Sequence, residues 1–294
     1  MANKFNLLVA AMALALGAGW GISAGEVLIK DGEKLAFLGD SITEQGNKYP
    51  CGYLNLVMDG LGRAGVKAVK IPAGVSGNRS CDMLARLDKV LAQKPDVLTL
   101  SCGVNDVWHF DWNKGVPLED YKANVTQIVD KATAAGVRVV VFTATMIQEN
   151  PENDKNAKLA PYNEFLRAFA KERSLPLVEL NGAMQAAVKE AAGKPSGITF
   201  DGVHMTQKGN IMIATNVLRV LGVPEEKIAE AAAEWASYPA STRLVLDFTV
   251  EEWRALDAMA KRLHKDLNAE FLKTVVLPVK DGAQGGEGEK ETGR

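Results

Sequence analysis

Three short segments set a glycine beside small polar residues: Gly39-Asp40-Ser41-Ile42-Thr43, Gly74-Val75-Ser76-Gly77-Asn78 and Gly103-Val104-Asn105-Asp106. A fourth, Phe200-Asp201-Gly202-Val203-His204, puts a carboxylate three residues ahead of one of the chain's three histidines. At that spacing Asp201 can reach one ring nitrogen of His204 and leave the other facing away, which fixes the tautomer and stabilises the imidazolium as it forms. A serine hydroxyl is a weak nucleophile until such an imidazole takes its proton. Ser41 and His204 are therefore a candidate nucleophile and general base. Attack on an ester carbonyl creates an oxyanion that needs donors already in place. The backbone N–H groups of Ser41 and Gly77 and the amide of Asn105 are suitable types: glycine lets the backbone approach without a Cβ, and an amide donates where a carboxylate would repel. Taken singly, each segment is equally an ordinary turn. His264 lies among Arg262, Lys265 and Asp266 and reads as solvated.

Something must bring these segments together. From Lys34 to about Leu180, short β-rich runs alternate with amphipathic stretches, the pattern of a parallel sheet covered by helices on both faces. Strands are expected over Lys34–Leu38, Val66–Ile71, Asp96–Ser101, Val137–Thr143 and Pro176–Leu180, with the near-continuous apolar character of buried parallel strands. Helices are expected over Leu54–Ala64, Asp82–Ala92, Pro117–Ala135 and Leu159–Arg173. In the third of these, Leu118, Tyr121, Val125, Ile128, Val129 and Ala132 recur at helical spacing. In open parallel sheets ligands bind outside the carboxyl ends of the strands, which is where the first three segments fall. Beyond Asp201 the pattern turns helical, over Gln207–Leu221, Glu225–Ala236 and Glu251–Phe271, with β-rich runs at Leu244–Thr249 and Thr274–Val279.

The four segments occur in the order and approximate spacing of the four blocks of the SGNH hydrolases, also called the GDSL esterase/lipase family, and the likeness covers residues 34 to 221. That resemblance implies a flavodoxin-like three-layer α/β/α sandwich around a central parallel five-stranded sheet, here followed by a mainly helical C-terminal extension. By matching position it implies Ser41 as nucleophile, Asp201 and His204 as orienting acid and base, and Ser41, Gly77 and Asn105 as oxyanion donors. Pro72-Ala73 departs from relatives that carry an Asn two residues before the glycine at 74, which removes a supporting hydrogen bond. Asp40 and Asp106 read as loop supports, and Asp40, Trp108 and His109 as candidates to face the substrate. The cluster Trp108, His109, Phe110 and Trp112 either covers sugar rings or packs its own loop. The implied activity is ester hydrolysis through an acyl-enzyme, on acetylated carbohydrate or on a lipid ester. A non-catalytic carbohydrate-binding protein is the other reading.

Composition limits the alternatives. The 294 residues are 47% hydrophobic and 24% charged, enough for a sizeable core. Thirty-four basic against thirty-six acidic residues, with no basic run, argue against a nucleic-acid partner. No cofactor and no metal is expected. Lys4 followed by the apolar run Leu7–Leu16 and the small residues before Gly25 read as a signal peptide over residues 1–24, the run being shorter than the roughly 20 residues of a membrane span. An uncleaved anchor is the alternative. With cleavage, the chain is exported and keeps no membrane anchor. The hydrolase domain is expected over 25–236, an extension docked on it over 237–280, and a disordered tail over 281–294. Three cysteines, Cys51, Cys81 and Cys102, fit no zinc spacing and allow at most one disulfide.

Overall fold

The computed structural model describes residues 27–238 and the isolated positions 249, 251, 254 and 258. The chain divides into two compact units, Met1–Ser241 and Thr242–Arg294, and all four motif segments lie in the first. The leader expected over 1–24, the β-rich runs over 244–249 and 274–279, His264 and the tail from 281 fall outside the described residues, Thr249 excepted. So does the helix expected over 251–271, apart from Glu251, Arg254 and Ala258, which are helical.

Five parallel strands, β1 (Lys34–Gly39), β2 (Val69–Gly74), β3 (Val97–Leu100), β4 (Arg138–Phe142) and β5 (Leu177–Val178), lie in the order β2-β1-β3-β4-β5. Around them run α1 (Ser41–Lys48), α2 (Tyr53–Arg63), α3 (Ser80–Leu91), α4 (Val104–Trp108), α5 (Leu118–Ala134), α6 (Asp154–Glu172), α7 (Leu180–Glu190), α8 (Gln207–Val220) and α9 (Glu225–Ser237). The helices that follow β1 and β5 pack on one another, α2 on α8 and α8 on α9. Those that follow β2, β3 and β4 form a second group, α3 on α5 and α5 on α6. This is the flavodoxin-like three-layer arrangement.

Register decides where the loops emerge. Gly39 of β1 sits level with Gly74 of β2, and Leu38 with Leu100 of β3, so three of the motif segments leave the sheet at one height. The chain passes from β1 to β2 on one side and returns to β3 on the other. The crevice between the ends of β1 and β3 is thus the switch point at which open α/β sheets bind ligands. All four residues of β3 are buried, as befits a strand covered on both faces.

Two strands differ from expectation. β2 runs to Gly74, later than Val66–Ile71, and takes in Pro72, which has no N–H for a ladder. An edge strand tolerates that, and β2 pairs with β1 alone. β5 is cut to Leu177–Val178 because the Glu179 side chain accepts the N–H of Gly182 at 3.0 Å and starts α7 at Leu180. The three helices that periodicity did not reveal, α1, α4 and α7, are 8, 5 and 11 residues long.

Asn210, near the start of α8 and 6% exposed, ties the last motif segment to the first helical layer. Its Oδ1 accepts the N–H of Tyr53 at 2.9 Å, and its Nδ2 donates to the carbonyl of Met205, just past His204, at 3.2 Å. Asn210→Leu strands both groups away from water. Urea unfolding is expected to show a loss of about 2–4 kcal/mol; an unchanged midpoint and slope would mean that water reaches them.

Candidate active site

Ser41 is the first residue of α1, placed there by a helix cap. Asp40 Oδ1 accepts the N–H of Ile42 at 2.9 Å, and the Asp40 carbonyl accepts that of Glu44 at 2.9 Å. Asp40 is 3% exposed. Burial pushes its carboxyl up to about 6, against the lowering effects of the Ile42 N–H and the nearby His204. Asp40 is thus buried and engaged in the cap of the helix that Ser41 starts.

The fourth segment closes on the first. His204 Nε2 lies 2.9 Å from Ser41 Oγ, and His204 Nδ1 lies 2.6 Å from Asp201 Oδ2. Asp201 Oδ1 accepts the backbone N–H groups of Val203 at 3.0 Å and His204 at 2.7 Å, so the acid also folds the turn that carries its partner. Burial alone would raise the Asp201 carboxyl, but the His204 ring and these two N–H groups outweigh it and hold it below its ordinary value. Phe200 stacks on the imidazole, with ring centroids 5.8 Å apart.

The loop after β2 is held from both neighbouring segments. Glu44 Oε2, on α1, accepts Ser76 N–H at 2.6 Å and Ser76 Oγ–H at 2.5 Å. On the other side of Gly77, Asn105 Nδ2 donates to the carbonyl of Asn78 at 3.0 Å, leaving its second N–H free for another acceptor. Gly77 itself has φ +76°, and a Cβ there would meet no protein atom within 4 Å. The backbone conformation, not crowding by the protein, is what demands glycine. The N–H groups of Ser41 and Gly77 have no acceptor among the described residues. For Ser41 this follows from its place at a helix N-terminus, where the first N–H groups have no partner one turn back.

Sequence reasoning missed Arg86. Its guanidinium donates to the carbonyls of Gly39 at 2.9 Å and Ala73 at 2.8 Å and to Asn78 Oδ1 at 2.6 Å. One side chain thereby joins the ends of β1 and β2 to the Gly77 loop. The available signal was a cation on the stripe Met83, Leu87 and Val90, the buried face of α3.

Trp108 and His109 continue from Asn105 through the short α4. Trp108 tilts against Trp112 at 6.0 Å, His109 meets Trp112 edge-on at 5.2 Å, and Lys155 Nζ lies 5.8 Å from the Trp108 ring. Lys155 also pairs with Asp111. Neither Trp108 nor His109 hydrogen bonds to Ser41, Asp201 or His204. Burial, with Arg79 nearby, holds the His109 imidazole below its ordinary value. Cys51, Cys81 and Cys102 are all free. Among the described residues no helix is long and apolar enough to cross a membrane.

Residues 37–210 match the GDSL-like lipase/acylhydrolase family. The chain belongs to that family. It is a carboxylic ester hydrolase. An acetylxylan esterase from Geobacillus stearothermophilus is 30% identical over 215 residues, 66% of this chain and 96% of that protein. The crystal structure of Axe2, an acetylxylan esterase from Geobacillus stearothermophilus, superposes with a TM-score of 0.60 at 27% identity, covering 67% of this chain and 97% of the other. An α/β hydrolase from the metagenome of Lake Arreo gives 0.61 at 26% identity, covering 67% and 98%. A GDSL esterase/lipase from Oryza sativa subsp. japonica is 25% identical over 195 residues, 59% of this chain and 72% of that protein.

Behind the site, Asp106 is fully buried and accepts from Ser80, the first residue of α3, through N–H at 3.0 Å and Oγ–H at 2.5 Å. Burial outweighs these bonds and raises its carboxyl from 3.8 to about 6. A carboxyl raised by folding binds its proton more tightly in the native state, so its contribution is lost as the pH climbs from about 4 to about 6. Asp106→Asn carries no such charge. Relative to wild type it is expected to gain about 2 kcal/mol between pH 4 and pH 7 in denaturant unfolding, and a constant difference between the two proteins would refute this.

Proposed function

We propose that this chain is an exported serine esterase that removes acetyl groups from carbohydrate through an acyl-enzyme. The observation that carries the serine mechanism is the continuous path from Ser41 Oγ through the His204 ring to Asp201, with links of 2.9 and 2.6 Å. In the first step Ser41 Oγ bonds to the ester carbonyl carbon while His204 Nε2 takes its proton. The carbonyl π electrons move onto oxygen, which faces the N–H groups of Ser41 and Gly77 and the free amide N–H of Asn105. Collapse of this intermediate breaks the bond to the sugar oxygen, which leaves with the proton from His204. Water, deprotonated by the same imidazole, then attacks the acyl-Ser41 ester and returns the free enzyme. Asp201, kept anionic by its hydrogen bonds, stabilises the imidazolium in both halves.

The carbohydrate reading rests on the relatives that act on acetylxylan. The exposed Trp112, backed by Trp108 and His109, adds an indole face of the kind that covers sugar rings. Export rests on the leader-like residues 1–24.

Ser41→Ala is expected to lower kcat on p-nitrophenyl acetate by at least about 10⁴-fold and to abolish labelling by a fluorophosphonate. Near-normal turnover would overturn the mechanism. For Asn105→Ala the expected loss is about 10²- to 10³-fold, confined to kcat; a change in KM alone would reassign Asn105 to substrate binding. Acetylated xylo-oligosaccharides should be turned over in preference to lysophospholipid, and the reverse order would move the substrate to the lipid class.

A further inference from the structure

The turn that carries Asp201 and His204 belongs to neither the sheet nor a helix. It is closed by an isolated antiparallel bridge between Thr199 and Met205, with Phe200 N–H on the carbonyl of His204 at 3.0 Å and Thr206 N–H on that of Ile198 at 2.9 Å. So small a hairpin is marginal by itself. Its position relative to Ser41 has to be fixed from outside.

Glu149, in the loop between β4 and α6, does this with both carboxylate oxygens. Oε2 accepts Ser196 N–H at 3.2 Å and Ser196 Oγ–H at 2.7 Å. Oε1 accepts Thr199 N–H at 2.8 Å and Thr199 Oγ–H at 2.6 Å. Burial by itself would raise this carboxyl, but the four donors outweigh it and hold it below its ordinary value. A second contact lies beside the first. Gly202, at φ +91°, packs so close to Gln148 that a Cβ there would be 3.2 Å from the Gln148 Cα. Gln148 is itself at φ +63°, rare for a residue with a Cβ. That conformation is held by amides from the start of α6: Asn156 Oδ1 accepts Ile147 N–H at 2.9 Å, and Asn153 Nδ2 and Asn156 Nδ2 donate to the Ile147 carbonyl at 2.8 and 2.9 Å.

We propose that Glu149 is a positioning residue for hydrolysis, setting the reach of His204 Nε2 to Ser41 Oγ by clamping residues 196–199 without touching substrate. The proposal rests on the Ser41–His204–Asp201 mechanism above. Only an ionised carboxylate satisfies four donors in this arrangement. Glutamine keeps one oxygen and turns an NH₂ group against a backbone N–H. Loss of the clamp leaves the Asp201–His204 pair intact, because those residues are three apart in one turn. It moves them together relative to Ser41. The consequence is slower chemistry with the ionisation of His204 undisturbed.

The test is Glu149→Gln and Glu149→Ala in the full chain, with active sites counted by fluorophosphonate labelling taken to completion. Turnover per site is expected to fall by about 10- to 100-fold, the glutamine variant less than the alanine one, with KM within about threefold. The labelling rate should fall in parallel, and the acid limb of the pH–rate profile should stay in place. A role in stability alone would lower the melting temperature and leave turnover per site within about twofold of wild type, and that result overturns the proposal. Should Glu149→Ala fail to fold, Ser196→Ala combined with Thr199→Val removes only the two hydroxyl donors and is judged on the same readouts. Ser41→Ala is measured alongside. Turnover surviving in Ser41→Ala would bring down the mechanism and the clamp together, whereas loss there with unchanged Glu149 variants would bring down the clamp alone.

Discussion

One hydrogen bond, 2.9 Å between Ser41 Oγ and His204 Nε2, joins residues 163 positions apart, and much of the structure around it serves to keep that distance. Its two ends are held by different means. Ser41 starts a helix directly off a central strand, so it inherits the rigidity of the sheet and the fixed geometry of a capped N-terminus. His204 sits in a turn after β5 and α7, outside the sheet, and depends on side-chain hydrogen bonds: Asp201 within the turn, Glu149 outside it and Asn210 behind it. A reaction between the two ends is only as well positioned as the weaker support, since small misplacements of reacting groups are costly to rate.

Carboxylates around the site separate according to the balance of burial and donors. Asp40 and Asp106 are buried behind the strand ends, and burial wins over the donors they engage, so both titrate near 6. Asp201 and Glu149 are nearer the surface and each receives several N–H or O–H groups, so the donors win and both are held low. The first pair acts through shape, capping α1 and anchoring the N-terminus of α3. In the second pair the charge itself matters, against the His204 ring and two backbone N–H groups in one case and against four donors in the other.

The Gly77 loop shows how three chain segments are made to act as one. Glu44 reaches it from α1, Asn105 from α4 and Arg86 from α3. Arg86 also takes the carbonyls at the ends of β1 and β2, so two strand ends and the loop share one rigid cation. In the proposed mechanism the Gly77 N–H is an oxyanion donor, and a loop held from three sides is the kind of preorganised support that such a donor needs.

The order of the elements, the parallel sheet and the residue types of the four segments were legible in the sequence, because apolar runs, helical spacing and side-chain chemistry are local properties of the chain. Boundaries were less so where a local rule met a tertiary exception: Pro72 looked like the end of a strand until β2 proved to be an edge, and α1 and α4 are too short to show a period. The burial of Asp40 and its cap bond to Ile42 show only in the folded chain. Arg86 and Glu149 could not be recognised from their own surroundings, since their partners lie up to 47 and 50 positions away. A hydrogen bond between distant segments leaves no periodic trace in either. What the chain alone determined was which groups were available. Which of them meet was decided by strand register and loop packing, because only in three dimensions are a donor and an acceptor near enough to find each other.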